Sequence, residues 1–194
     1  MPRPPRIQFP GANYHIVTRG DGRQKLFHDQ AHYERFTTGL EEEVQRCGWI
    51  VLAYCWMPNH IHALIQTPEP NLATGMQHWL SGYANWYAKR NRRTGHLYQG
   101  RYKAFLVEDA GYYWTLSRYI HLNPCRGSNP LGADPESWPY SSFGGGFMGS
   151  DLVFGFQRQL SMLVLHLATE TRCRLSTTDQ VRRANRGMLR FLKG

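Results

Sequence analysis

Two strand-length apolar segments stand almost end to end in this chain, and together they leave few folds open. WIVLAYCWM (49–57) is nearly continuous in apolar residues and of strand length, which predicts a buried central strand. Pro58-Asn59 breaks it. HIHALIQT (60–67) follows as a second strand, whose successive side chains must leave opposite faces of a sheet. YHIVTRG (14–20) reads as a short strand running into glycine, and RYKAFLV (101–107) as another.

Helical periodicity fills the intervals. Residues 29–48 carry Tyr33, Phe36, Leu40 and Val44 at three- and four-residue spacing, with Asp29 as the expected N-cap and Gly48 as the stop. A long helix is expected over 72–91, with Met76, Leu80, Tyr83 and Tyr87 on one stripe and a basic exit loop ending at Gly95. A third begins near Ala110, carries Tyr113, Leu116, Tyr119 and Ile120, and is closed by Pro124. The order β-α-β-β-α-β-α predicts an α+β protein: a ferredoxin-like, split βαβ antiparallel sheet with helices on one face.

Organisation beyond this sheet is read from composition. Residues 127–150 are rich in Gly, Ser and Pro. The expected division is a domain over 1–143, a Gly/Ser-rich linker over 144–151 and a basic helical C-terminal extension over 152–194. No stretch reaches the roughly 18–20 apolar residues of a membrane span, and the basic N-terminus has no apolar segment behind it, so a cytoplasmic protein with no membrane partner is expected. Cys47, Cys55, Cys125 and Cys173 show no C-x-x-C spacing, which argues against a zinc ribbon and for free thiols.

Charge narrows the choice of partner. Lys and Arg outnumber Asp and Glu by 23 to 14, a formal net charge of +9. No acidic residue falls between Pro70 and Val107, where Lys89, Arg90, Arg92, Arg93, Arg101 and Lys103 all lie. The tail from Thr171 onward sets Arg172, Arg174, Arg182, Arg183, Arg186, Arg190 and Lys193 against a lone Asp179. Acid is concentrated between Asp29 and Glu43. A two-faced molecule with a nucleic-acid surface is the expectation.

Two segments carry chemistry. In a strand, His60 and His62 point to the same side while Ile61 enters the core, so two imidazoles stand together on one rigid element. Such a pair can hold a divalent ion and leave positions open for substrate. In SRYIHLNP (117–124), Tyr119 and Asn123 are one helical turn apart and share a face. Asn123 offers a carbonyl oxygen as a third ligand for a hard cation, and a tyrosine phenol beside such an ion is a competent nucleophile toward a phosphodiester. Each feature alone also fits packed or surface residues.

In combination, YHIVTRG, CWMPNHIHALI, GHLYQGRYKAFLV and SRYIHLNPCR, in this order and at these separations, resemble the single-tyrosine HUH transposases, and within them the REP-associated tyrosine transposases. The resemblance runs from Pro4 to Phe143. It implies an HUH endonuclease fold, with His60, His62 and Asn123 as ligands of Mg²⁺ or Mn²⁺. It also implies that Tyr119 attacks single-stranded DNA to give a 5′-phosphotyrosine and a free 3′-hydroxyl. The implied partner is single-stranded or hairpin DNA from palindromic repeats, acted on by a monomer or homodimer. Catalytically inactive hairpin binding, or phosphodiester hydrolysis by activated water, are the alternatives.

Further DNA contacts are expected from Arg19 and Arg23 in the TRGDGRQ turn, from Arg101 and Lys103 on the last strand, from Lys89, Arg90, Arg92 and Arg93, and from Tyr98 and Tyr102 as stacking platforms. His121 is read as structural or as a phosphate contact. Two departures from the family pattern stand out. Asp21 follows Arg19-Gly20 where related sequences carry Asn, and Cys125-Arg126-Gly127 replaces an apolar Val-Arg-Ala run, read as a packing change.

Overall fold

The computed structural model describes residues 7–108, 110–126 and 130–143, with backbone alone at Ala110 and Gly111. Four strands, β1 (Ala12–Arg19), β2 (Ile50–Met57), β3 (His60–Thr67) and β4 (Lys103–Leu106), form one sheet in the order β2-β3-β1-β4. Every neighbouring pair is antiparallel. Helix α1 (Gln30–Cys47) links β1 to β2, α2 (Leu72–Arg90) links β3 to β4, and α3 (Ala110–His121) follows β4. This is the split βαβ sheet expected from the sequence.

Strand alternation divides the side chains between two cores. Tyr14 and Ile16 of β1, Tyr54 and Trp56 of β2, and Ile61, Ala63 and Ile65 of β3 face α1 and α2. An irregularity between Val51 and Ala53 shifts the β2 register, which puts Val51 on that face as well. Aromatic rings fill this layer: Phe36 lies 4.7 Å from Trp79 and meets Trp56 edge-on at 5.1 Å. Each buried indole N–H has an acceptor: Trp79 donates to Phe36 O (2.9 Å), Trp56 to Thr37 Oγ1 (3.0 Å) and Trp49 to Asn71 Oδ1 (2.8 Å). The α1 caps are those expected: Asp29 accepts from the His32 backbone N–H at 3.1 Å, and Gly48 takes the left-handed conformation at φ 69°.

The opposite face is apolar too, with Ala53, Cys55, Met57 and Leu64 packed against Leu116 and Ile120 of α3. The crossover helices α1 and α2 therefore share one face, as expected, while α3 lies on the other. A strand pattern that is apolar on both sides requires this cover.

The 49–57 segment is not central; β2 is the end strand of the sheet. Its burial comes from helices on both faces and from residues 138–143, which run along its open edge. Trp56 N donates to Tyr140 O (2.9 Å) and Ser142 N to Tyr54 O (3.0 Å). Tyr140 stacks on Tyr33 with ring centroids 3.5 Å apart. The Gly/Ser/Pro-rich stretch beginning at residue 127 is thus partly built into the domain. The expected linker at 144–151 and the extension at 152–194 lie outside the described residues. The last strand is also shorter than expected, because Arg101 and Tyr102 precede β4.

Candidate active site

His60 and His62 stand on the first turn of β3 after the Pro58-Asn59 break. Their antiparallel partners on β1 are Arg19 and Val17, and on β2 Met57 and Cys55. Paired residues share a face, so both imidazoles project toward α3 while Ile61 is fully buried on the other side. The His60 and His62 ring centroids are 5.2 Å apart and nearly perpendicular at 88°.

Helix α3 brings Tyr119 to this face. Its ring lies 5.5 Å from that of His62, edge to face at 90°. Leu116 and Ile120, fully buried against the sheet, fix the roll of the helix that presents the phenol. One turn on, at the start of the 3₁₀ turn Asn123–Cys125, Asn123 donates its Nδ2 to the Tyr119 carbonyl oxygen at 3.1 Å. The same carboxamide is hydrogen-bonded toward both His60 and the Tyr119 side chain. Four residues from three elements, β3, α3 and the 3₁₀ turn, thus converge.

The rings are oriented from behind. His60 Nδ1 is 2.7 Å from Asn59 Oδ1, which turns His60 Nε2 outward. His62 Nδ1 is 3.0 Å from Nε2 of His15, a fully buried β1 residue whose ring is nearly coplanar with that of His62. His62 Nε2 is buried and has no hydrogen-bond partner among the described residues. A buried, unpartnered imidazole nitrogen beside a second imidazole and a carboxamide oxygen is a donor set that fits a divalent cation. Among the described residues no group of three His, Cys, Asp or Glu is placed to hold an ion; Asn123 is the carboxamide that stands beside the pair.

Electrostatics favour neutral imidazoles. Burial lowers the His60 pKa to about 4, against a hydrogen bond accepted by Asn123 that raises it, and Arg19 lowers it further. Burial, with the neighbouring His60 and His15, holds His62 well below the ordinary histidine value. Neutral rings keep the lone pairs that a cation needs. The Tyr119 phenol is raised by burial, and the Asn123 hydrogen bond and the Arg126 charge pull it back down.

Cations surround the site unevenly. Arg19 is 6% exposed, faces the same side as His60 and donates to Gln99 Oε1. Lys103 pairs with Val17 and so lies on the same rung as His62. Arg126 sits over the Tyr119 ring, 5.3 Å from its centroid. Its location adds a charge contact to what the sequence suggested was a packing change alone. Arg23 is exposed in the turn after β1.

The remaining expected DNA residues lie elsewhere. Arg101 and Tyr98 line a cleft of about 770 Å³ between α2 and the 95–102 segment, apart from the two histidines. Tyr102 is 8% exposed within the main core, which corrects its reading as a free stacking platform. Tyr98 is half-buried and donates to Leu80 O at 3.3 Å. Lys89, Arg92 and Arg93 are exposed where α2 ends; Arg90 there pairs with Asp29 at 3.0 Å. His121 binds Ser142 Oγ at 2.8 Å and so anchors the edge segment, a structural role.

Sequence reasoning missed His15 and Arg126. His15 alternates with Val17 and Arg19 in YHIVTRG, so it shares the face of His60 and His62 once β1 is paired with β3. Pairing is the information a lone histidine does not carry.

Comparison with known proteins bears directly on this arrangement. The family model described as "Transposase IS200 like" matches residues 8–123, more than half of the chain, with His15, His60, His62, Tyr119 and Asn123 all inside the match. The chain belongs to the IS200-like transposase family. Among solved structures, it is similar to the REP-associated tyrosine transposase bound to a REP hairpin, with a TM-score of 0.64 at 16% identity over 80% of this chain and 87% of that one. That likeness extends the family assignment to the fold, the HUH transposase fold. A candidate transposase from Deinococcus radiodurans R1 is also similar, at 16% identity and TM-score 0.43 over 61% of this chain and 95% of that one. No curated protein matches the chain.

Proposed function

We propose that this family member is a metal-dependent, REP-type single-stranded DNA transposase that cleaves and rejoins hairpin DNA through a 5′-phosphotyrosine on Tyr119. The observation that carries the reading is the 5.5 Å separation of the Tyr119 and His62 rings within one chain, with Asn123 bonded toward both His60 and the phenol. Membership of a transposase family supports the reaction class, and the fold shared with a hairpin-bound transposase supports the substrate class.

His60, His62 and Asn123 would hold Mg²⁺ or Mn²⁺. When bound, such an ion polarises the phosphoryl oxygens and offsets the charge that builds on them. Tyr119 supplies the nucleophile: Oη loses its proton and bonds to phosphorus as the P–O3′ bond breaks. The leaving oxygen takes up a proton to become a 3′-hydroxyl. Reversal by a 3′-hydroxyl restores the phosphodiester and frees the phenol, with no external energy source. Arg126 beside the phenol stabilises its anionic form, while Arg19 and Lys103 give positive charge on the face the strand approaches.

A denaturing gel tests this. Full-length protein is incubated with Mn²⁺ and a labelled single-stranded hairpin oligonucleotide. A protein–DNA adduct is expected with the wild type and none with Tyr119→Phe. Cleavage that survives Tyr119→Phe would assign the chemistry to activated water, and binding without cleavage would make the chain a hairpin-binding protein.

A further inference from the structure

The buried contact between His15 and His62 has a chemical consequence that rests on the metal reading above. His15 is fully buried and lies two pairs along the ladder from His62, on the same face, since Val17 is the registered partner of His62 and His15 that of Leu64. The two rings lie edge to edge in nearly one plane, with centroids 5.2 Å apart and 16° between planes, and their facing nitrogens, His15 Nε2 and His62 Nδ1, are 3.0 Å apart. One proton occupies that contact. Phe105 of β4, the registered partner of His15, lies 6.1 Å from its ring between centroids.

Only two neutral arrangements satisfy the contact. In one, His62 Nδ1–H donates to His15 Nε2, and His62 Nε2 keeps a lone pair directed into the site. In the other, His15 Nε2–H donates to His62 Nδ1, and His62 Nε2 carries a hydrogen that excludes a cation. His62 Nε2 and His15 Nδ1 are both buried and unpartnered among the described residues, so nothing else in their surroundings selects the tautomer. A cation at His62 Nε2 selects the first arrangement, in which His15 is the acceptor.

We propose that His15 is a positioning residue for the metal site: its Nε2 accepts the His62 Nδ1–H bond, which fixes both the tautomer and the orientation of the His62 ring. His60 has the corresponding support from Asn59 Oδ1 at 2.7 Å. Partners that orient a ligating histidine in this way typically change metal affinity by about 10–100-fold when removed.

Mn²⁺ binding to the full-length chain, read by electron paramagnetic resonance without DNA, tests the assignment. His15→Leu keeps the volume but removes the acceptor, and its Mn²⁺ affinity is expected to fall by about 10–100-fold. His15→Gln presents a carbonyl oxygen to the same N–H and is expected to recover much of that loss. Metal-free hairpin affinity should stay unchanged in both. Equal Mn²⁺ affinity in wild type and His15→Leu, with binding lost in His62→Ala, overturns the role of His15 and leaves the metal reading standing. Undiminished binding in His62→Ala as well overturns both. A wild-type measurement stands independently of variant folding: with Mg²⁺ bound, ¹⁵N NMR of the histidine side chains should show His62 protonated at Nδ1. Protonation at Nε2 contradicts the proposal.

Discussion

At the residue scale, the decisive property is the desolvation of the histidines. Burial disfavours the charged form of His60 and His62, so their lone pairs are open to the proposed cation at physiological pH. His60→Ala or His62→Ala should abolish cleavage in the gel assay while sparing most hairpin affinity in a filter-binding assay, since affinity comes mainly from basic side chains. Arg126 acts on the Tyr119 phenol, the proposed nucleophile. It lowers a phenol that burial has raised, so Arg126→Ala should move the rising limb of the cleavage pH profile to higher pH, and Arg126→Lys should restore much of it. An unshifted profile in Arg126→Ala would show that the charge over the ring does not reach the reaction.

At the scale of elements, the sheet and helices were legible because their signals are local. The apolar run at 49–57, the alternation at 60–67, and Asp29 and Gly48 at the ends of α1 each fix an element without reference to anything distant. Two matters depended on partners instead. The edge position of β2 follows from residues 138–143 covering it, and the placement of α3 follows from Leu116 and Ile120 finding an apolar sheet face of their own. The site divides the same way. His60, His62, Tyr119 and Asn123 are visible as i, i+2 and i, i+4 pairs, whereas His15 and Arg126 act only across elements. Helix α2 offers a packing test. A Cβ on Gly75 would come within 2.1 Å of the Trp49 ring, whose Nε1 is held by Asn71. Gly75→Ala should therefore destabilise the chain by about 1–3 kcal/mol, seen as a lower melting temperature. An unchanged melting temperature would mean that the indole can retreat.

At the scale of the whole molecule, His60 and His62 on one face of the sheet meet Tyr119 and Asn123 from the chain that packs on that face, and exposed cations stand at the end of α2. Among the described residues no helix is long and apolar enough to cross a membrane. The buried histidines make stability pH-dependent. Burial alone lowers His15 to about 3 and His121 to about 4, below the ordinary 6.5 of the unfolded chain. The unfolded state binds more protons in that window, so their contribution is complete above about pH 6.5 and is lost as pH falls toward 4 and below. Urea denaturation of the metal-free chain should show stability dropping over this range, with a shallower slope in His121→Gln. The same slope in variant and wild type would assign the acid sensitivity to other groups. Peptide mass spectrometry of the protein–DNA adduct trapped with a hairpin oligonucleotide and Mn²⁺ addresses the chemistry itself. A nucleotide phosphate linked to the peptide that contains Tyr119 is the expected result; cleaved DNA with phosphate on another side chain, or on no peptide at all, would contradict it.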